Sequence, residues 1–304
     1  MSAVEVEHLS RRYGELEAVA DVSFEVAAGQ VVALLGPNGA GKTTTMEILE
    51  GYRAPSGGTV RVLGEEPGRA GRAWRARVGL VLQSTSLDPQ LTVGEALGIF
   101  AALFPRPRPV DEVLELIDLA GEAGTRIGRL SGGQQRRVDV GLGIVGRPEV
   151  LFLDEPTTGL DPAARRQAWT TIEGLTEAGT TVLLTTHYLE EAQRLADRVL
   201  VLAHGRLVAD ARPEQLRGEA ADTVIRVPLP PGAPTADLPP ALAAGADPGG
   251  GRLVVRTAEV TAALDGLVGW ARRHRVELAG LEVGPPSLED AYLALIDEEV
   301  PAHV

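Results

Sequence analysis

The sequence predicts an α/β domain with a mixed sheet at its core and a helical insertion, followed by a small α+β domain. Three observations carry this. Five short runs, Val31 to Leu35, Val78 to Leu82, Val150 to Leu153, Val182 to Leu184 and Val199 to Leu202, are β-branched or aliphatic almost throughout, as strands covered on both faces are. Between the second and third of them, roughly from Ser84 to Arg147, the apolar spacing turns helical. After about Ala220 the composition shifts, with six prolines between Pro228 and Pro240 and a glycine run at Gly249 to Gly251. The expected division is residues 1–220, with the helical segment at about 84–147, and residues 221–304.

Taken in order, Val4 and Val6, then Val22, Phe24 and Val26, alternate with polar residues as half-buried strands do. Val31 to Leu35 runs into a glycine-rich turn at Gly36, and Thr43 to Leu49 reads as a helix closed near Gly51. Thr92 with Glu95 forms a capping box at the start of the helical segment, which the stiff Pro105 to Pro109 stretch interrupts. The proline-rich join after 220 is expected to be linker, not core. Beyond it come a strand at Leu253 to Arg256, a helix over Val260 to His274, a strand near Val276 to Val283 and a helix from Ser287 to Ile296.

Composition narrows the function classes. The 304 residues are 44% hydrophobic and 23% charged, enough apolar side chain for both cores. The chain has no cysteine, so disulfides and thiolate metal sites are excluded. A net charge of −13 argues against a general binder of nucleic-acid backbones, which carries a basic face to displace counterions. No run approaches the roughly 18 to 20 apolar residues that span a bilayer, and the first residues lack the apolar centre of a signal peptide. A cytoplasmic chain is the expectation. Among 29 basic residues, only Lys42 is a lysine.

That lysine lies in Gly36-Pro37-Asn38-Gly39-Ala40-Gly41-Lys42-Thr43, with Thr44 following. In such a phosphate-binding loop the glycines turn backbone amides onto the phosphates and the helix N-terminus adds a favourable field. Lys42 reaches the β and γ phosphates and Thr43 ligates magnesium, so ATP and Mg²⁺ are the expected ligands. Val150 to Leu153 ends in Asp154 and Glu155. Carboxylates at the end of a parallel strand face the nucleotide crevice. There Asp154 can hold magnesium and Glu155 can take a proton from the attacking water. Ser131 can cap the helix that follows it, while Gly132 and Gly133 allow phosphate to approach free amides. Taken singly, Tyr13 reads either as an exposed loop aromatic or as a stacking platform for adenine. Gln83 reads as a polar strand end or a sensor of magnesium and water, and His187 as a helix-start residue or a group at the γ-phosphate.

Leu130-Ser131-Gly132-Gly133-Gln134 resembles the signature of the ATP-binding cassette family. The resemblance covers residues 1 to about 218 and takes in, in order, Tyr13, the phosphate loop, Gln83, the signature, the acid pair, Gly159-Leu160-Asp161 and His187. It implies a P-loop ATPase that works as a head-to-tail dimer, with Ser131 to Gln134 of one copy completing the site of the other and Asp161 bridging the two. Lys42, Gln83, Glu155 and His187 are then the catalytic set, and Thr43, Gln83 and Asp154 the magnesium set. Only 83 − 42 = 41 residues separate Lys42 from Gln83, so there is no coiled-coil insertion of the chromosome-organising kind. His187-Tyr188-Leu189-Glu190-Glu191-Ala192 and the tail Ser287-Leu288-Glu289-Asp290-Ala291-Tyr292 look like drug-exporter ATPases of the daunorubicin-resistance type. That likeness implies a separate transmembrane permease as partner, a place on the inner face of the membrane, and Ser84 to Pro109 as the face offered to the permease. No nucleic-acid partner is expected. A soluble ATPase acting on a nucleic-acid or ribosomal partner is the alternative.

Overall fold

A computed structural model of the chain describes residues 2–82, 87–216, 223–243, 245 and 251–299. The chain divides into two compact units, Met1–Pro213 and Glu214–Val304. In the first, β1 (Ser2–Tyr13) and β2 (Leu16–Ala27) form a hairpin with Val4 opposite Val26 and Val6 opposite Phe24. The alternation seen in the sequence is therefore the buried face of an antiparallel pair. β3 (Val31–Leu35), buried at every position, leads through the glycine-rich turn into α1 (Lys42–Leu49). β4 (Gly57–Val62) then pairs with the free edge of β1.

A single turn, α2 (Arg72–Arg75), is pinned by the Trp74 indole N–H donating to the Val62 carbonyl at 2.8 Å, and delivers the chain to β5 (Val78–Val81). Three helices follow, α3 (Val93–Ala101), α4 (Val110–Leu116) and α5 (Gly132–Ile144). The expected capping box is present at Thr92/Glu95, and the cap expected at Ser131 proves to be part of a second box, closed by Gln134. The three helices close on Gly141, where an added Cβ would lie 3.0 to 3.2 Å from Ile117, Leu97 and Val113. The chain re-enters the sheet as β6 (Val150–Asp154) and continues through α6 (Pro162–Glu177), β7 (Thr181–Thr185), α7 (Leu189–Leu195), β8 (Arg198–Ala203) and β9 (Arg206–Ala211).

The main sheet has the order β5-β6-β7-β3-β8-β9, parallel except for the antiparallel β8/β9 pair, so it is mixed as predicted. Its central strand β3 is flanked by two strands from much later in the chain, β7 and β8. This arrangement sets the turn after β3 beside the ends of β6 and β7, in the crevice where such sheets bind ligands. One apolar cluster, including Val6, Phe24, Leu34, Met46 and Phe152, joins the antiparallel sheet, α1 and a face of the main sheet.

A short turn, α8 (Pro213–Leu216), precedes the elements of the second unit. These are β10 (Thr223–Pro228), the turn α9 (Pro240–Ala243), β11 (Arg252–Thr257), α10 (Val260–His274), β12 (Glu282–Gly284) and α11 (Leu288–Glu299). The strands form an antiparallel sheet ordered β11-β10-β12. The reading of the proline-rich join as linker is corrected here. Leu229, Leu238 and Leu242 lie buried in the core with Ile225, Leu253, Leu267 and Trp270, and the Pro234 carbonyl accepts from the Trp270 indole at 3.2 Å. The prolines stop β-pairing without keeping the leucines between them out of the core.

Candidate nucleotide site

A cleft of about 400 Å³ lies at the end of β3, lined by Tyr13, Asn38 to Thr44, Asp154 and Glu155 among others. Each wall follows from local sequence. The turn from Gly36 to Gly41 needs glycine where it passes other backbone: at Gly41, with φ of 100°, a Cβ would sit 2.4 Å from the Ala18 carbonyl oxygen. Lys42 opens α1 and is buried, its ammonium donating to the Gly36 and Pro37 carbonyls at 2.7 and 3.0 Å. Burial pulls its pKa below the usual lysine value, while the nearby Glu155 and Asp154 carboxylates oppose that shift. Thr43 is exposed toward solvent beside it.

Asp154 ends β6 and accepts from the Thr185 hydroxyl at 2.5 Å. Glu155 follows in the left-handed region, φ 47°, its N–H held by both the carbonyl and the hydroxyl of Thr185 at 3.1 and 3.0 Å. Its carboxylate accepts from Thr158 at 3.1 Å and lies 3.5 Å from the Nδ1 of the exposed His187. Tyr13 sits at the tip of the β1/β2 hairpin, half-exposed, with Arg11 and Arg53 over its ring at 4.8 and 5.5 Å.

The remaining expected residues fall elsewhere. Ser131 caps α5 and Gly132, Gly133 and Gln134 form its first turn; none of the four lines the Lys42 cleft. Gly133 instead lies against Leu160 and Ala164. Asp161 caps α6, accepting from Ala163 and Ala164 at 2.8 and 2.9 Å, and those two bonds hold its carboxyl below the usual range. Gln83 lies outside the described residues.

Two contributors escaped the sequence reading. Thr185 fixes both acids, and its only signal was a hydroxyl at a strand end. Arg136, buried in α5, donates to the carbonyls of Leu82, Asp154, Glu155 and Pro156, tying the ends of β5 and β6 together. No local pattern marks a single arginine for that role.

The thiolate-free donor set of the cleft, one threonine hydroxyl and two carboxylates, suits a hard divalent cation. Among the described residues no group of three or more His, Asp or Glu side chains is placed to hold a metal by itself. Magnesium here would take its other oxygens from phosphate and water.

Comparison with known proteins agrees with this geometry. The ABC transporter family matches residues 19–158, and the C-terminal domain of ABC transporter domain-containing protein-like proteins matches residues 223–287. Nod factor export ATP-binding protein I of Burkholderia orbicola is 39% identical over 310 residues, covering 99% of both chains. The daunorubicin resistance ATP-binding protein of Streptomyces coeruleorubidus is 37% identical over 308 residues, covering 98% of this chain and 97% of that one. The solved ATP-binding subunit of an ABC transporter superposes with a TM-score of 0.65 at 28% identity, covering 71% of this chain and 92% of the other. A phosphate loop on the central strand, an acid pair across the cleft from it and relatives of full length together establish that this chain belongs to the ABC transporter family, as one of its ATP-hydrolysing subunits.

Proposed function

We propose that this chain drives the export of a drug-like or lipid-like small molecule through a separate transmembrane permease. The observation that carries the catalytic part is the convergence of Lys42, Asp154 and Glu155 on one cleft, with His187 against Glu155. Lys42 and the loop amides bind the β and γ phosphates. Thr43 and Asp154 hold magnesium, which neutralises phosphate charge when bound. Glu155 accepts the proton of the attacking water, and His187 and Gln83 orient the groups around it. Tyr13 stacks on the adenine at the mouth of the cleft.

The site is completed by a second copy. Ser131 to Gln134 and Asp161 lie outside the Lys42 cleft of their own chain, which supports a head-to-tail dimer related by two-fold symmetry. Export as the direction is supported by the full-length relatives named for it. No described helix is long and apolar enough to cross a membrane, so a permease would supply the path. Its docking surface is the Ser84 to Pro109 face, on which the apolar Ile99 and Leu103 of the described residues are exposed.

Glu155→Gln tests the core of the reading. The amide keeps the shape of the carboxylate but cannot take the proton. ATP binding should stay within about threefold of wild type while turnover falls by about a hundredfold or more, and ATP should shift the variant to dimer in light scattering. Wild-type turnover would remove Glu155 as the base. A permease-containing vesicle that effluxes no candidate cargo on addition of ATP would remove export.

A further inference from the structure

Behind the acid pair, α6 and α7 are joined along one face. Arg165, in the first turns of α6, sets its guanidinium carbon 4.0 Å from the centre of the Tyr188 ring. The Tyr188 and His187 ring centres are 4.1 Å apart with planes tilted by 41°, and His187 Nδ1 is 3.5 Å from Glu155. Farther along, the Trp169 indole donates to the buried Glu191 at 2.9 Å, and Arg194 lies over Trp169 while forking onto Glu173. The two helices are thus braced at several points, and Arg165, Tyr188, His187 and Glu155 form one unbroken row.

Two features of the row need an explanation. The Arg165 Nε is buried without a hydrogen-bond partner, a cost that a guanidinium accepts where its plane gains from an aromatic face. His187 is nearly half exposed, with 47% of its side chain accessible, so nothing in a surrounding core fixes its rotamer. The Tyr188 ring supplies what both lack: a platform for the cation and a wall for the imidazole.

We propose that Arg165 and Tyr188 are positioning residues that aim the His187 imidazole at the reacting phosphate. Since Asp161 caps α6, the helix that follows that residue thereby sets the direction of the histidine. The proposal rests on the reading of His187 as a group that serves the γ-phosphate.

The test uses the full chain in steady-state hydrolysis at saturating ATP, with ATP affinity measured in parallel. Tyr188→Leu and Arg165→Ala should each slow turnover about tenfold, as misplacement of a catalytic group does, while affinity stays within about twofold. Tyr188→Phe, which keeps the ring, and Arg165→Lys, which keeps the cation, should recover most of the rate. If affinity falls in step with rate, or if Leu and Phe behave alike at position 188, the side chains only hold the fold and the proposal fails. His187→Ala separates the two readings. Its inactivity beside wild-type rates for Tyr188→Leu and Arg165→Ala overturns the row alone; wild-type rates for His187→Ala overturn the role of the histidine. Should Tyr188→Leu not fold by thermal melting, the half-exposed Arg165 decides.

Discussion

Glu50, at the end of α1, carries a carboxyl raised from the usual 4.5 to about 7, first by burial and then by Asp154 and Glu47. The folded chain therefore holds that proton more tightly than the unfolded chain. Stability from this group is full below about pH 4.5, falls as pH rises toward 7, and is flat above. Glu50→Gln should remove the penalty. Its melting temperature should exceed wild type clearly at about pH 8 and only slightly at about pH 5, the gap corresponding to at most about 3 kcal/mol. An equal gap at both values would show that Glu50 is ordinary. Glu155, which lines the cleft, shows a second kind of local cost. A left-handed residue other than glycine is strained by about 1 to 2 kcal/mol. The two bonds that Thr185 offers its N–H hold it there, so the carboxylate is presented by a conformation that the chain would not choose unaided.

Among elements, α5 shows how packing overrides propensity. Glycine in a helix interior costs about 1 kcal/mol relative to alanine, yet Gly141 stands where α3, α4 and α5 meet. Gly141→Ala should come out near neutral, the propensity gain offset by contacts at 3.0 to 3.2 Å. Gly141→Val, with two further methyl groups and no space for them, should destabilise by about 2 kcal/mol in urea denaturation. A stable valine variant would mean that the three helices yield easily. The same contrast separates what was legible in the sequence from what was not. The helix over Val260 to His274 is found with the bounds read from its apolar period, because its pattern is local and its basic last turn is capped by Arg275. The expected strand near Val276 to Val283 shrinks to Glu282–Gly284. Val276, Leu278 and Leu281 are apolar because they pack on the core as loop residues, a demand that looks like a strand in one dimension. In the site, the phosphate loop and the acid pair are contiguous words and could be read directly. The row from Arg165 to Tyr188 and the four carbonyls gathered by Arg136 are made by residues far apart in the chain, so only the fold reveals them.

For the whole molecule, the decisive matter is whether one copy's α5 serves the other copy's loop. Lys42→Ala removes the cation from the loop, and Gly133→Asp sets a negative charge where phosphate would approach. Each variant alone should be inactive. Mixed, they form a heterodimer with one site carrying both defects and one carrying neither, so up to about half the wild-type turnover per dimer should return. A chain bearing both changes, paired with wild type, should stay inactive, because each site then has one defect. Activity only in that second pairing would place α5 in the site of its own chain. The tie made by Arg136 adds a statement about time. One planar cation grips the ends of β5 and β6 from within α5, and each charged bond it would have to give up is worth about 1.5 to 3 kcal/mol. A push on α5 therefore cannot run ahead of the backbone beneath the acid pair. The two move as a single kinetic event, and labels on either side of the tie should relax with one rate constant in the microsecond-to-millisecond range of packed helices.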